Sequence, residues 1–183
     1  MNYYLDIHIL PDPEFKETVL MNALHTKLHK ALCDLESTTI GVSFPNNERT
    51  LGDRLRLHGS AEVLDKLQCQ SWIGGMSGYC LQSDIQPVPS DSKFRNISRQ
   101  QPTMSPAKLK RLFKRGSITD DEVKQYKVKM FAKGLDNPYL EIVSGSNGQR
   151  HRRYIKFGPL LDNPIKGAFD QFGLSKIATI PWF

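Results

Sequence analysis

The sequence predicts an α+β protein in two parts, on three observations. Over residues 1–91 the hydrophobic residues follow a strand-like period and a helix-like period by turns, in the order strand, helix, strand, strand, helix, strand. The sign of the charge reverses near residue 91: residues 1–91 hold 7 Lys and Arg against 12 Asp and Glu, and residues 92–183 hold 18 against 7. Pro87, Pro89 and the run Ser90 to Ser92 punctuate the chain at that same point. The expected domains are therefore 1–91, a ferredoxin-like βαββαβ unit, and 92–183, a C-terminal α+β domain with an exposed basic helix.

Tyr3 to Leu10 reads as a strand with Tyr3, Leu5, Ile7 and Ile9 on one face, followed after Pro11 and Pro13 by a helix from about Glu14 to Asp34. Strands are expected at Thr38 to Phe44, ending in the turn Pro45-Asn46-Asn47, and at Arg54 to His58. Ser60 is placed to cap a helix over Ala61 to Cys69, and Tyr79 to Val88 supplies the last extended segment. In the second half a short strand at Phe94 to Ser98 precedes the basic helix. A second helix begins at the capping box Thr119-Asp120-Asp121-Glu122. A hairpin follows, Tyr139 to Val143 and Arg150 to Phe157, joined by Ser144-Gly145-Ser146-Asn147-Gly148.

A chain of 183 residues with 39% hydrophobic composition can bury a core, as one domain or two small ones, so disorder is not the default. The N-terminal MNYYLDIHIL has no basic leader and no run near the ~20 apolar residues a membrane span needs, so the protein reads as cytoplasmic. Cys33, Cys69 and Cys80 are odd in number and lack CxxC spacing; they read as small core residues rather than disulfide or zinc ligands. His25 and His29 have a spacing that can bind zinc, but there is no HExxH glutamate and no evident third ligand. No metal and no cofactor is expected.

The basic helix is expected at Pro106 to Arg115, with Ser105 as cap, Pro106 in the first turn and Gly116 as stop. Leu109, Leu112 and Phe113 share one arc, while Lys108, Lys110, Arg111, Lys114 and Arg115 share the opposite one. No acidic residue occurs between Ser92 and Thr119 to neutralise that face. Such a face attracts a polyanion by counterion release, which does not distinguish RNA from DNA. An anionic membrane is the other partner for a basic amphipathic helix, but three apolar residues suit packing on a small domain. Arg99 and Gln101 can engage purine edges bidentately. Arg150, His151, Arg152, Arg153 and Lys156 form a second cationic strip. The loop with Ser144 and Ser146 offers hydroxyls and backbone N–H groups to a phosphate, and hairpin-turn chemistry accounts for the same residues.

Taken in order, Tyr4-Leu5-Asp6-Ile7, Pro11-Asp12-Pro13-Glu14-Phe15, Lys27-Leu28-His29, Ile40 to Pro45, Leu51-Gly52, Ser98-Arg99 with Gln101, the Pro106 helix, Gly148-Gln149, Gly158-Pro159-Leu160, Gly173-Leu174-Ser175-Lys176 and Pro181-Trp182-Phe183 carry a resemblance. The chain resembles the CRISPR repeat RNA endoribonucleases of the type I-F system, which cut precursor transcripts beside a repeat hairpin. The resemblance spans both halves. It implies that His29 is the catalytic proton-transfer residue and Ser144 the serine that holds the ribose 2′-hydroxyl. The reaction would be metal-independent, leaving a 2′,3′-cyclic phosphate and a 5′-hydroxyl.

The resemblance further implies that Arg99 and Gln101 read purines near the base of the stem and that the basic helix enters the groove of the hairpin. His151 stands where the family stacks a phenylalanine, with Ser146 and Arg152 as further RNA contacts. The implied partners are the repeat hairpin, in precursor and mature crRNA, and other subunits of a type I-F surveillance complex. Two departures stand out beside a basic helix one residue short. One is His151 itself; the other is Phe172, where the family has a tyrosine whose hydroxyl orients the histidine. His29 is then expected to be held by another group, or less firmly. A non-catalytic hairpin-binding subunit of the effector complex is the alternative.

Overall fold

The computed structural model describes residues 1–101, 106–132, 136–143 and 148–183. It is a mixed α/β structure of two antiparallel sheets and four α-helices among the described residues. The first sheet draws on residues 3–87. Strand β1 (Tyr3–Ile9) lies between β3 (Arg54–Gly59) and the edge segments β4 (Cys80–Gln82) and β5 (Gln86–Pro87), with β2 (Gly41–Ser43) outside β3. Leu5, Ile7 and Ile9 alternate into the core as expected, while Tyr3 stays exposed at the end of the strand.

Helix α1 (Glu17–Asp34) begins later than the expected Glu14, because Asp12 Oδ1 accepts hydrogen bonds from the backbone N–H of both Glu14 and Phe15 and holds that stretch in a turn. Helix α2 (Ala61–Cys69) is capped by Ser60, whose hydroxyl accepts from Val63 N–H at 3.3 Å. The expected strand at Tyr79 to Val88 is two short pieces preceded by a 3₁₀ helix at Gly74–Tyr79. Its break is at Ser83, whose backbone N–H donates to Asp6 O and whose hydroxyl accepts from Asp6 N–H, replacing ladder bonds with a side chain.

The second sheet draws on residues 93–182, in the order β7 (Tyr139–Val143), β8 (Arg150–Leu161), β6 (Lys93–Gln100) and β9 (Thr179–Trp182). Strand β9 was not foreseen; its four residues, Thr-Ile-Pro-Trp, are too short to show a period. Helix α3 (Pro106–Lys114) and α4 (Asp120–Ala132) connect β6 to β7. The capping box on α4 is formed: Glu122 accepts from Thr119 N–H at 2.8 Å, and Thr119 Oγ1 accepts from Glu122 N–H at 3.4 Å.

A single core runs through both sheets, from Leu5, Ile7, Leu24 and Leu28 to Ile97, Leu140, Ile155 and Ile180. The join is also polar. Arg56 forms a two-pronged ion pair with Asp6, at 2.7 and 2.9 Å, and its guanidinium lies over the rings of Tyr4 and Phe183. Val42 N–H donates to Gly173 O at 2.9 Å, fixing the loop before β9 to the outer strand of the first sheet.

Two expectations about packing fail. Of the three cysteines only Cys80 is buried; Cys33 is half-buried, and Cys69 is exposed because it lies on the side of α2 away from the buried Leu64 and Leu67. Phe113 is 59% exposed although Leu109, on the same arc, is buried, so α3 is covered along a narrower stripe than its sequence suggests.

Gly173 has φ of +70°, and a Cβ there would run into Val42. Gly173→Ala is expected to lose about 2–4 kcal/mol of stability, the cost of left-handed backbone plus overpacking. Urea unfolding checks this, with a fall in midpoint expected.

Candidate active site

His29 lies at the margin of the buried face of α1, one turn from His25, which is fully inside. Its Nδ1 is 2.7 Å from the backbone oxygen of Gln171. A carbonyl only accepts, so Nδ1 carries the proton and Nε2 is the atom left to take or give one. The imidazole also stacks on Phe172, with ring centres 3.7 Å apart and planes 14° from parallel. The histidine is thus held without a tyrosine hydroxyl, by the carbonyl before Phe172 and the ring of Phe172 itself. Cys33, one turn further along α1, donates its thiol to Gln171 Oε1 at 3.1 Å; burial, then Asp34, raises its pKa.

The loop that presents Gln171 and Phe172 is tightly fastened. Asp170 Oδ1 accepts from the N–H groups of Phe172 and Leu174, and Gly173 N–H donates to Asp170 O. Ser175 N–H donates to Ile97 O at 3.0 Å and its hydroxyl to Ala168 O at 2.8 Å, which ties the loop to the second sheet as well.

Beside this loop is an open groove of about 640 Å³ whose walls include Arg99, Gln101, Arg153, Asp170, Ser175 and Lys176. Arg99 and Gln101, two residues apart, are both exposed and line it together. A larger cavity, about 870 Å³, lies between residues near Met1, the 88–92 segment and the 162–169 segment, and His29 lines neither it nor the groove. The cationic groove suits a polyanion.

Lys108, Lys110, Arg111, Lys114 and Arg115 are all exposed along and just beyond α3. The second cationic strip is divided by the strand. Arg150, Arg152 and Lys156 share one face of β8 and are exposed, with the Arg152 guanidinium 4.4 Å from the centre of the Tyr139 ring. His151 is exposed on the other face. Arg153, expected as part of the strip, is buried on the face of His151, because side chains two apart on a strand point the same way. Ser144 and Ser146 lie outside the described residues.

Sequence reading missed the carbonyl of Gln171, which no side-chain pattern signals. It also missed the inward turn of Arg153, for which the period of two in Arg150 to Lys156 was a usable sign.

His25 is buried against Phe44 and Phe172, and burial first, then His29 and Arg153, lowers its pKa to about 3, opposed by a backbone hydrogen bond at Phe172. His58, buried and hydrogen-bonded to Ser43 at 2.8 Å, is also pushed well below its ordinary value, by burial and then by Arg56.

The chain matches the family of CRISPR-associated proteins called Cas_Csy4 over residues 4–183. It is 41% identical over 184 residues to a CRISPR-associated endonuclease Cas6/Csy4 of Escherichia coli (strain UTI89 / UPEC), and 37% identical over 187 residues to one of Pseudomonas aeruginosa (strain UCBPP-PA14); both alignments cover the whole of both chains. Among solved structures, a CRISPR endoribonuclease Cse3 bound to a 19 nt RNA is similar at a TM-score of 0.38 and 16% identity, covering 99% of this chain and 100% of that one. The chain belongs to the Cas_Csy4 family, in agreement with the resemblance read from its motifs.

His25 and His58 are neutral when folded and protonated below about pH 6.5 when unfolded. Their contribution to stability is therefore complete above that pH and is lost as the pH falls toward the folded values. Between about pH 6 and pH 5 each histidine adds a slope near 1.4 kcal/mol per pH unit. Urea unfolding across this range is expected to show lower stability at the acid end, with a smaller slope in His25→Phe.

Proposed function

We propose that this chain is a sequence- and structure-specific endoribonuclease that binds the hairpin of a CRISPR repeat and cuts precursor crRNA. The observation that carries the reading is the state of His29: Nδ1–H is committed to the Gln171 carbonyl and Nε2 is left for proton transfer. Family membership and relatives named as endonucleases support it.

In this reading a ribose 2′-hydroxyl attacks the adjacent phosphorus. The O2′–P bond forms, the P–O5′ bond breaks, and the products are a 2′,3′-cyclic phosphate and a 5′-hydroxyl. His29 moves a proton in this exchange, for which an imidazole is suited near neutral pH. Ser144 holds the 2′-hydroxyl. No metal is required, so cleavage persists in EDTA.

Arg99 and Gln101 read purines at the base of the stem, and Lys108, Lys110, Arg111, Lys114 and Arg115 follow its phosphates. The deep A-form groove normally excludes side chains, so a short hairpin with an open loop end is the substrate that admits a helix. His151 stacks on the terminal base pair, and Ser146 and Arg152 make further RNA contacts. The strand order β2-β3-β1-β4 with two helices supports a ferredoxin-like reading of residues 1–91, which carry the histidine. Residues 92–183 then form the RNA-binding domain. The protein keeps the mature crRNA and joins the other subunits of a type I-F surveillance complex in the cytoplasm.

Phe172, which has no hydroxyl, favours one other reading: a hairpin-binding subunit that does not cut. Cleavage of labelled repeat RNA separates the two. His29→Ala is expected to slow single-turnover cleavage by about 10²–10⁴-fold with hairpin affinity kept, and a deoxyribose at the cut site to block cleavage without blocking binding. Binding with no cyclic-phosphate product from the parental protein would favour the non-catalytic subunit. Arg111→Ala with Arg115→Ala is expected to weaken hairpin binding and to reduce the slope of log affinity against log salt by about 1–2. A filter-binding series over salt concentration checks it.

A further inference from the structure

Arg153 is 8% exposed, and its Nε has no hydrogen-bond partner among the described residues. Burial, then Arg99, lowers its pKa, and only Asp170 opposes them. The Asp170 carboxylate is itself engaged, since its Oδ1 serves two backbone N–H groups of the loop. A guanidinium in such a position costs stability relative to an apolar side chain of similar volume. Its guanidinium lies on an aromatic ring: the guanidinium carbon is 3.5 Å from the centre of the Phe172 ring.

Phe172 is also the ring on which His29 stacks, at 3.7 Å. Two planar groups cannot share one face of a ring at those separations, so Arg153 and His29 hold opposite faces. The phenylalanine is gripped in the middle. Its ring, fixed by the cation behind it, in turn fixes the plane of the imidazole, while the Gln171 carbonyl fixes its rotation about that plane.

We propose that Arg153 is a positioning residue for His29, acting through Phe172, and that this stack does here what a tyrosine hydroxyl does elsewhere in the family. The proposal rests on the reading of His29 as the proton-transfer residue. A misplacement of the imidazole by about 1 Å is enough to slow a proton-transfer step on the order of 10²-fold. Although Arg153 borders the groove it is only 8% exposed, and it acts on orientation rather than on substrate affinity.

Arg153→Met keeps the packing volume and removes the cation; Phe172→Leu keeps an apolar side chain and removes the ring face. Each variant, with Arg153→Lys and His29→Ala beside them, is assayed as the full chain at saturating protein. The three readouts are single-turnover cleavage of repeat RNA, affinity for the hairpin with deoxyribose at the cut site, and the ring ¹⁵N resonances of His29. Arg153→Met and Phe172→Leu are each expected to slow cleavage by roughly 10–100-fold, to change hairpin affinity by less than about 3-fold, and to mix the His29 tautomers. Arg153→Lys, which restores a cation, is expected to recover part of the rate. The double variant should be no slower than the worse single one, since both break one stack.

Cleavage at the parental rate in Arg153→Met with an unchanged His29 spectrum overturns the proposal. So does a loss confined to affinity, which would make Arg153 an RNA ligand, or a fully additive double variant. If Arg153→Met does not fold, Phe172→Leu with parental rate and spectrum overturns it equally. Undiminished cleavage in His29→Ala is a separate outcome: it would remove the catalytic reading itself, whatever the Arg153 variants do.

Discussion

The hydrogen bond from Val42 N–H to Gly173 O joins the outer strand of one sheet to the loop that feeds the last strand of the other. Much of the candidate site depends on it. Gly173 follows Phe172 directly, so fixing its carbonyl against the first sheet sets how deep the loop lies against α1. That depth decides whether Gln171 O reaches His29 Nδ1 and whether the Phe172 ring meets the imidazole. The left-handed backbone at Gly173 and the paired acceptance at Asp170 make the loop rigid on its own account. Its anchor to Ile97 O through Ser175 then carries the same rigidity into the second sheet.

The two sheets thus share more than a boundary. The helix bearing the histidine belongs to the first, whereas the carbonyl and ring that hold the histidine follow the third strand of the second. Asp6, Arg56 and Phe183 make a further tie on the other side of the first sheet, where ion pair and ring contacts reinforce one another. A site divided in this way stays assembled only while both ties hold. This explains how one core can serve two sheets that draw on separate stretches of chain.

Much of this was legible in the residues. The alternation in Tyr3 to Ile9, the cap at Ser60, the capping box at Thr119 and the hairpin strands are local devices, and local patterns announce them. The late start of α1 and the break at Ser83 were not, because each depends on one side chain replacing a backbone partner that only the fold supplies. The same holds at the site. His29, Arg99 and Gln101 could be named from motifs, but the group holding the histidine is a main-chain oxygen 142 residues away. At Phe172 the sequence shows only the missing hydroxyl, because the use of both ring faces depends on residues that the fold brings together.

Strand β8 has one more consequence. Its side chains are sorted by a period of two: Arg150, Arg152 and Lys156 outward, Arg153 and Ile155 inward. One residue inserted or deleted within the strand would exchange the two sets, turning Arg152 toward Phe172 and Arg153 into water. The register from Arg150 to Lys156 therefore fixes which arginine meets Phe172. Length variation among relatives should collect outside it, in connections where an added residue reverses nothing.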